Sequence, residues 1–204
     1  MVNMRAINLV LKRLMDIFGS LIGIVILLPV LIIVALAIKI DSKSPVFFKQ
    51  ERLGKNGKVF KILKFRTMIV NAENIGDGLK VKSSNDLRIT KIGKFLRKTS
   101  LDELPQLFNV FIGNMSLVGP RPPVPYHPYK ITDYSNMAKK RFDFKPGITG
   151  LTQITVRNSV SWDERIKVDI KYVNSFTVFL DIKILLMTFI KIFSKNDIYI
   201  GKNN

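Results

Sequence analysis

The chain has 204 residues, enough for one compact catalytic domain with a membrane element or for two small domains. Its 33 Lys and Arg residues against 15 Asp and Glu give a formal net charge of +18, which favours anionic partners: nucleic acid, an anionic lipid leaflet or phosphorylated substrates. The lack of cysteine excludes a disulfide framework and any thiolate metal site.

The first predicted element is an apolar run of 22 residues, at positions 17–38, that contains no charged side chain. It exceeds the roughly 20 residues that cross a hydrocarbon core and the ~7–15 residues of a secretory signal. Pro29 lies near its middle and removes a backbone donor, which predicts a kink. Basic side chains flank the run on both sides, so the positive-inside rule draws both ends to the cytoplasm. These features leave two forms open, a simple span and a re-entrant hairpin that turns at Pro29.

A hairpin and a loop are predicted after the apolar run. Residues 46–66 have the pattern of a β-hairpin, in which Asn56-Gly57 supplies the positive φ angles of a tight turn. Residues 71–85 contain Gly76, Gly78 and two serines, which predicts a mobile loop.

Three helical segments are predicted in the second half of the chain. Apolar residues recur at helical spacing in residues 89–111, interrupted by Pro105, and again in residues 161–174. The apolar stretch 177–193 is interrupted by charged residues, which favours an interfacial or buried helix over a membrane span. The Pro146-Gly147 step predicts a turn.

The most informative short motif is Thr-Ser-Leu-Asp-Glu-Leu-Pro-Gln at residues 99–106. As a structural motif, Ser100 and Glu103 match a capping box, but Pro105 then falls beyond the free first turn. A helix capped by Asp102 fits the proline better. As a functional motif, Asp102 and Glu103 are an acidic pair, in which one carboxylate can bind Mg²⁺ with substrate phosphates while the other attacks phosphorus. Spacing alone favours the structural interpretation.

Basic side chains that could neutralise a diphosphate occur in three motifs, at Lys64 and Arg66, at Arg88, and at Arg121. Arginine suits phosphate oxygens because its planar guanidinium donates two bonds at once, and the prolines beside Arg121 restrict its backbone. Each basic residue taken alone is more often a solvated surface charge. Asp169, within a helical pattern, is by default a solvated carboxylate.

Taken in chain order, these motifs resemble the monotopic phosphoglycosyl transferases, also called the bacterial sugar transferase family. The resemblance covers nearly the whole chain, from Lys12 to Phe193, and each motif is weak alone but specific in combination. The matching segments are KRLMD before the apolar run, KFRTM at 64–68, the segment 86–122 with LDELPQLFNV and GPRP, KPGITGLTQ at 145–153, and Asp169-x-x-Tyr172.

The resemblance implies an α+β fold: an N-terminal re-entrant, proline-broken membrane helix hairpin, then a mainly helical cytoplasmic catalytic domain with a small β-hairpin and interfacial helices. The membrane element takes residues 1–41. The catalytic domain, with an interfacial C-terminal helix, takes residues 42–204. Such proteins reside at the bacterial inner (cytoplasmic) membrane, on its cytoplasmic face.

The family's reaction, carried onto this sequence, implies named roles. An aspartate, here Asp102, attacks the diphosphate of a UDP-sugar, forms a sugar-phosphoryl enzyme and releases UMP. Polyprenyl (undecaprenyl) phosphate then accepts the sugar phosphate, which begins the assembly of a polysaccharide or glycoconjugate. Glu103 is the expected ligand of Mg²⁺, the expected cofactor. The positions matched to the nucleotide sugar or its phosphates are Lys64, Arg66, Arg88, Arg121 and Asp169.

Two other functional classes fit part of the sequence. A membrane-tethered nucleic-acid-binding protein agrees with the sequence pI of about 10.2, but no recognition helix or aromatic RNA platform is evident, so no nucleic acid is expected as a partner. A membrane scaffold with a dead catalytic site is the other class. The intact acidic pair and Arg121 argue against it.

Overall fold

The computed structural model describes residues 4–42, 45–75, 78, 86–156 and 159–193. The elements in chain order are α1 (Met4–Asp41), β1 (Phe47–Leu53), β2 (Val59–Phe65), α2 (Lys91–Thr99), α3 (Gln106–Phe111), β3 (Ser116–Val118), α4 (Asn136–Lys139), β4 (Gly147–Thr149), α5 (Leu151–Thr155), α6 (Trp162–Asn174) and α7 (Val178–Phe193). This mixture of helices and small sheets confirms the predicted α+β class. The loop predicted at residues 71–85 lies mostly outside the described residues.

The apolar run forms a single long helix. Helix α1 extends without interruption from Met4 to Asp41, with Pro29 inside it. Proline removes one backbone hydrogen bond, a loss that membrane helices tolerate. Among the described elements, α1 alone is long and apolar enough to cross a membrane. The long N-terminal apolar helix is thus confirmed, whereas the turn at Pro29 that would make it a hairpin stays a prediction.

Two stripes of α1, one on either side of Pro29, pack against the rest of the chain. The buried side chains are polar before the proline and apolar after it: Lys12, Asp16 and Ser20, then Leu31, Val34 and Ile38. The apolar group forms one cluster with Phe65 of β2 and Leu96 of α2. Many other apolar side chains of α1 are exposed, among them Ile22, Val25, Ile26, Ile32 and Ile33. An apolar medium such as lipid suits this remaining surface.

The polar stripe of α1 is tied into the domain by buried hydrogen bonds. Lys12 Nζ donates to Val118 O at 2.7 Å and to Asp181 Oδ2, in the first turn of α7, at 2.5 Å. Asp16 Oδ1 accepts the backbone N–H of Leu117 at 2.8 Å. Charges removed from water are tolerated when they are paired and hydrogen-bonded in this way. The first half of α1 is therefore joined to both β3 and α7.

Strands β1 and β2 form the predicted hairpin. They pair antiparallel with Phe47 opposite Phe65 and Leu53 opposite Val59. The connection holds Asn56 at φ 57° and Gly57 at φ 72°, as the Asn-Gly step predicts. The turn is longer than the two-residue form, because Gly54 N–H donates to Lys58 O across it at 2.8 Å.

Strands β3 and β4 form a short parallel pair that the sequence did not predict. Ser116 lies opposite Gly147 and Val118 opposite Thr149. The turn expected at the Pro-Gly step is therefore wrong, since Gly147 begins a strand. A Cβ on Gly147 would lie 2.1 Å from the backbone nitrogen of Gly119, so the close approach of the two chains requires glycine. The pair fixes the start of the Gly119-Pro120-Arg121 segment.

The helices predicted at 161–174 and 177–193 are confirmed as α6 and α7. Ser161 caps α6, because its side chain accepts the backbone N–H of Glu164 at 3.3 Å. Ile166 and Ile170 of α6 are buried. Asp181, one of the charges that interrupt the apolar stretch of α7, is buried and paired with Lys12.

Candidate functional site

The acidic pair lies in a tight turn between α2 and α3. Ser100 adopts a left-handed conformation, φ 57°, that ends α2, and residues Leu101–Glu103 form one 3-10 turn. Helix α3 starts only after Pro105. Ser100 makes no side-chain capping bond, as the position of Pro105 indicated, but Asp102 lies inside the turn, so the cap predicted at Asp102 is wrong. The left-handed residue directs the chain away from the α2 axis and presents two carboxyl groups at the helix end.

Glu103 is held between two cations. Lys64 Nζ of β2 donates to Glu103 Oε1 at 2.7 Å, and Arg121 Nη2 reaches the same oxygen at 3.3 Å. The Glu103 side chain keeps 23% of its surface exposed, so the cluster is open to a ligand. Burial favours the neutral acid, but the positive charges of Lys64 and Arg121 outweigh burial and lower the pKa of Glu103 to about 2.

At Asp102 the effect of burial outweighs that of the nearby positive charges, which is the opposite of the balance at Glu103. Burial raises the pKa of Asp102 to about 6, with the charge of Lys64 lowering it and the charge of Glu103 raising it further. Adjacent carboxyl groups whose environments separate their pKa values are a common arrangement where two acids take different roles. At neutral pH Asp102 is mostly ionised, and it is more basic than an ordinary carboxylate, which suits a nucleophile.

Two further arginines belong to this region, and neither was predicted. Arg97, in the last turn of α2, lowers the pKa of Asp102 by its charge, and its Nε donates to Thr67 Oγ1 at 2.9 Å. Burial and then the charge of Arg121 lower the pKa of Arg165, so Arg165 of α6 lies near Arg121. The available signal for Arg97 was its position in the last turn before the acidic pair.

Arg66 and Arg88, both predicted to bind substrate, are engaged elsewhere. Arg66 Nη2 donates to Ser42 Oγ, and its Nε to Pro45 O, both at 2.6 Å, so it holds the link that follows α1. Arg88 is buried, and its guanidinium pairs with Asp86 at 2.7 Å. Its Nη1 also donates to three backbone carbonyls, those of residues 72, 75 and 78. The structure does not bring either arginine into contact with Glu103.

Asp169 is buried rather than solvated, contrary to the default expectation. Only 2% of its surface is exposed. Its Oδ2 accepts Arg141 Nη2 at 2.6 Å, and its Oδ1 accepts the hydroxyl of Thr152 at 2.5 Å. Burial raises the pKa of Asp169, an effect opposed by the charge of Arg141. Asp169 therefore makes no direct contact with the acidic pair.

A divalent metal at this site depends on few protein ligands. No group of three or more His, Cys, Asp or Glu side chains occurs in the part of the chain that the structure describes. Lys64 and Arg121 both bind Glu103 Oε1, which leaves the second carboxylate oxygen for another partner. Mg²⁺ is commonly held by one or two carboxylates together with waters and substrate phosphates, so Glu103 fits such an ion.

Comparison with known proteins identifies the family. A family model described as bacterial sugar transferase matches residues 7–195. The chain belongs to the bacterial sugar transferase family. This membership confirms the resemblance read from the sequence motifs.

Several curated proteins align with this chain over most of its length. It is 47% identical over 191 residues to the galactosyl transferase CpsE of Streptococcus agalactiae serotype III (strain NEM316), covering 89% of this chain and 42% of that protein. It is 41% identical over 201 residues to the UDP-glucose:undecaprenyl-phosphate glucose-1-phosphate transferase of Klebsiella pneumoniae, covering 96% of this chain and 43% of that protein. The uncharacterized sugar transferase EpsL of Bacillus subtilis (strain 168) is 40% identical over 185 residues, covering 90% of this chain and 88% of that protein. The chain thus spans less than half the length of the first two relatives.

Proposed function

We propose that this bacterial sugar transferase moves a sugar 1-phosphate from a UDP-sugar to polyprenyl (undecaprenyl) phosphate. The observation that carries the proposal is the position of the acidic pair. Leu101 and Leu104, the residues on either side of Asp102 and Glu103, pack against the apolar cluster of α1. Asp102, the candidate nucleophile, therefore lies beside α1, the helix whose apolar surface suits lipid. A lipid-linked acceptor can be reached at this position. The substrates named for the relatives agree with this donor and acceptor.

The first step is attack by Asp102 on the phosphorus that carries the sugar. A bond forms between the carboxylate oxygen and this phosphorus, the phosphoanhydride bond breaks, and UMP leaves with the bonding electrons. Lys64, Arg97 and Arg121 stand around the acidic pair, and their charges stabilise the additional negative charge on the transferring group. The raised pKa of Asp102 makes its carboxylate a better nucleophile than a fully solvated one.

The second step returns Asp102 to its starting state. An oxygen of polyprenyl phosphate attacks the same phosphorus, the bond to the Asp102 carboxylate breaks, and a polyprenyl-diphosphate-sugar is released. One phosphoanhydride bond is exchanged for another, so the enzyme's task is mainly kinetic. Glu103, with substrate phosphates, would hold Mg²⁺, which when bound neutralises charge on the diphosphate.

The same proposal includes a re-entrant α1 at the cytoplasmic face of the bacterial inner membrane. Both halves of α1 pack against one domain, through Lys12 and Asp16 before Pro29 and Leu31 and Ile38 after it. At ~1.5 Å per residue, a straight helix of this length would extend for about 57 Å, nearly twice a ~30 Å hydrocarbon core. Basic residues at both flanks favour the cytoplasmic side for both ends. A bend at Pro29 would let both halves contact the same domain, fit the helix into the hydrocarbon core and keep both ends on the cytoplasmic side.

The test is mass spectrometry of the intact protein after incubation with Mg²⁺ and a panel of UDP-sugars, without lipid acceptor. The wild-type chain should gain the mass of one sugar phosphate, and the Asp102→Asn variant should not. The donor that yields the adduct identifies the sugar. If no donor gives an adduct while UMP is still released on addition of polyprenyl phosphate, transfer is direct and Asp102 is not the nucleophile.

A further inference from the structure

The buried ion pair of Asp169 and Arg141 is the strongest feature that the proposed reaction does not use. The two residues expose 2% and 1% of their surfaces. Arg141 donates from both Nε and Nη2 to Asp169 Oδ2, at 3.1 and 2.6 Å, and Thr152 donates to Oδ1. Arg141 Nη1 is also buried, and no residue that the structure describes accepts a hydrogen bond from it. Such a pair, with one donor unsatisfied, is a poor stabiliser compared with apolar side chains of similar size.

Arg141 makes a further hydrogen bond, to the segment that carries Arg121, and this bond leads to the acidic pair. The same Nη2 that binds Asp169 donates to the backbone oxygen of Arg121 at 2.9 Å. The Arg121 side chain in turn contacts Glu103 Oε1 at 3.3 Å. Asp169 is therefore connected to Glu103 through two arginines, without contacting the acidic pair itself.

The segment that carries Arg121 depends on such contacts because prolines supply no backbone donor. Each carbonyl of residues 120–123 instead accepts a bond from another part of the chain. The donors to Pro120, Pro122 and Pro123 are, respectively, Gly147 N–H at 3.0 Å, Arg52 Nη1 at 3.1 Å and Leu53 N–H at 2.9 Å. At Arg121 the donor is the Arg141 side chain, whose direction Asp169 fixes.

We propose that Asp169 and Arg141 are positioning residues that hold the Arg121 backbone so that its guanidinium meets Glu103 and the donor's diphosphate. This inference rests on the proposed transferase function and gives Asp169 a role through Arg121 in place of direct contact with substrate. A cation that must be placed within a fraction of an ångström of a developing charge loses much of its effect when its backbone is free to shift.

The main test replaces both members of the pair, as Arg141→Met with Asp169→Leu, so that no unpaired charge stays buried. Replacement of a buried ion pair by apolar residues commonly preserves folding, and the thermal unfolding midpoint should stay close to that of the wild type. The kcat/KM for the UDP-sugar should fall about 10- to 100-fold. The acidic limb of its pH profile should move upward, as it should in Arg121→Ala, because the charge that lowers the pKa of Asp102 is displaced.

A double-mutant cycle separates positioning from general damage. In an Arg121→Ala background the paired substitution should cause little further loss, because the residue it positions is already absent. An equal loss with and without Arg121 overturns the proposal, as does full activity of a folded double variant. Arg141→Lys provides a second route if the double variant does not fold: it keeps the charge but replaces the guanidinium that serves both partners, and it should show the same dependence on Arg121.

The control is Glu164→Gln, which removes an exposed carboxylate from the same helix as Asp169. Glu164 pairs only with Lys167 among the ion pairs of the described chain, and its side chain is 54% exposed, so activity should not change. Reaction of Arg121 with phenylglyoxal, measured by peptide mass spectrometry, tests positioning even if no UDP-sugar is a donor. The labelling rate should rise in the Arg141 variants and stay constant in Glu164→Gln. An unchanged rate in every variant contradicts the proposal independently of activity.

Discussion

At the scale of single residues, the defining feature of the site is that two adjacent carboxyl groups have different environments and therefore different pKa values. Glu103 is bound to Lys64 and Arg121 and keeps a low pKa, whereas burial dominates at Asp102 and raises its pKa to about 6. The difference follows from geometry: one turn of 3-10 helix directs Glu103 to β2 and the Arg121 segment. Two predictions follow from these opposite shifts.

The first prediction concerns the pH dependence of UMP release. Asp102 must be ionised to attack, so kcat/KM for the UDP-sugar should fall as pH drops through about 6. The charge of Lys64 lowers the pKa of Asp102, so Lys64→Met should move this limb to higher pH. Lys61→Met, which removes an exposed cation from the same strand, serves as the control. A limb at the same pH in both variants would contradict the assignment of the limb to Asp102.

The second prediction concerns stability. The folded-state pKa of Asp102 is raised, so the folded chain binds this proton more tightly than the unfolded chain, and stability is lost as pH rises through about 6. Asp102→Asn removes the buried charge and should raise the free energy of unfolding at pH 8, by at most about 3 kcal/mol, but not at pH 4. Denaturant unfolding of the wild type and the variant in detergent, at pH 8 and at pH 4, measures these free energies.

Glu103 provides the opposite control for that measurement. Its pKa is lowered, so its carboxylate contributes stability that is present above about pH 4.5 and lost as pH falls through about 2. Glu103→Gln should therefore destabilise the chain at pH 8, where Asp102→Asn stabilises it. The same sign for both substitutions would mean that the environments of the two carboxyl groups are not distinct.

At the scale of elements, the sequence predicts what local chemistry determines. The β1–β2 hairpin was predicted because Asn56-Gly57 supplies the positive φ angles of its turn, and α6 because apolar residues recur at helical spacing within residues 161–174. The β3–β4 pair was not, because its strands lie far apart in the chain and its key requirement, glycine at 147, is set by a backbone from another segment. Short-range patterns carry no information on such contacts.

The same distinction applies to the candidate site. Lys64, Arg121 and the acidic pair were identified, and the structure brings them together. The contacts of Arg88 and Arg141 could not be predicted, because an arginine that binds carbonyl groups or a buried carboxylate has the same local sequence as one that binds phosphate. Only the folded chain shows that Arg88 faces three carbonyls and that Arg141 faces Asp169.

The third prediction concerns the topology of α1. The chain has no cysteine, so single cysteines at Arg5 and Lys39 can be labelled without background. A re-entrant helix places both on the cytoplasmic side, so an impermeant maleimide should label neither in intact spheroplasts and both after lysis. Labelling of one of the two positions in intact spheroplasts would establish a span instead. Phe47→Cys, on the hairpin beyond α1, is the control for cytoplasmic exposure.

At the scale of the whole molecule, the net charge of +18 combines with an exposed basic and apolar surface on α2. The exposed side chains of this surface are Lys91, Lys94, Phe95 and Lys98. A cationic surface that also presents an aromatic side chain suits the headgroup region of an anionic membrane. We therefore expect the orientation of the acidic pair relative to the lipid to depend on charge as well as on α1.

The fourth prediction follows from that surface. Replacing its three lysines by glutamine should lower the initial rate in nanodiscs of anionic lipid more than in nanodiscs of zwitterionic lipid. The difference between the two lipids should shrink in high salt, because exposed charges are screened. Replacement of Lys130, Lys139 and Lys140 by glutamine, before, at the end of and just after α4, gives a control of equal charge. Equal losses for both triple variants would assign the effect to net charge alone.

The bonds from Lys12 and Asp16 to the domain have a practical consequence for anyone who wishes to work with a water-soluble fragment. Cutting the chain after α1 would do more than remove an anchor. It would leave the Asp181 carboxylate without its Lys12 ion pair and the amide of Leu117 without its acceptor, and it would uncover Phe65 and Leu96 next to the acidic pair. A shortened chain is therefore expected to aggregate or to lose the shape of the site, and preparations should keep the N-terminal helix in detergent or lipid throughout.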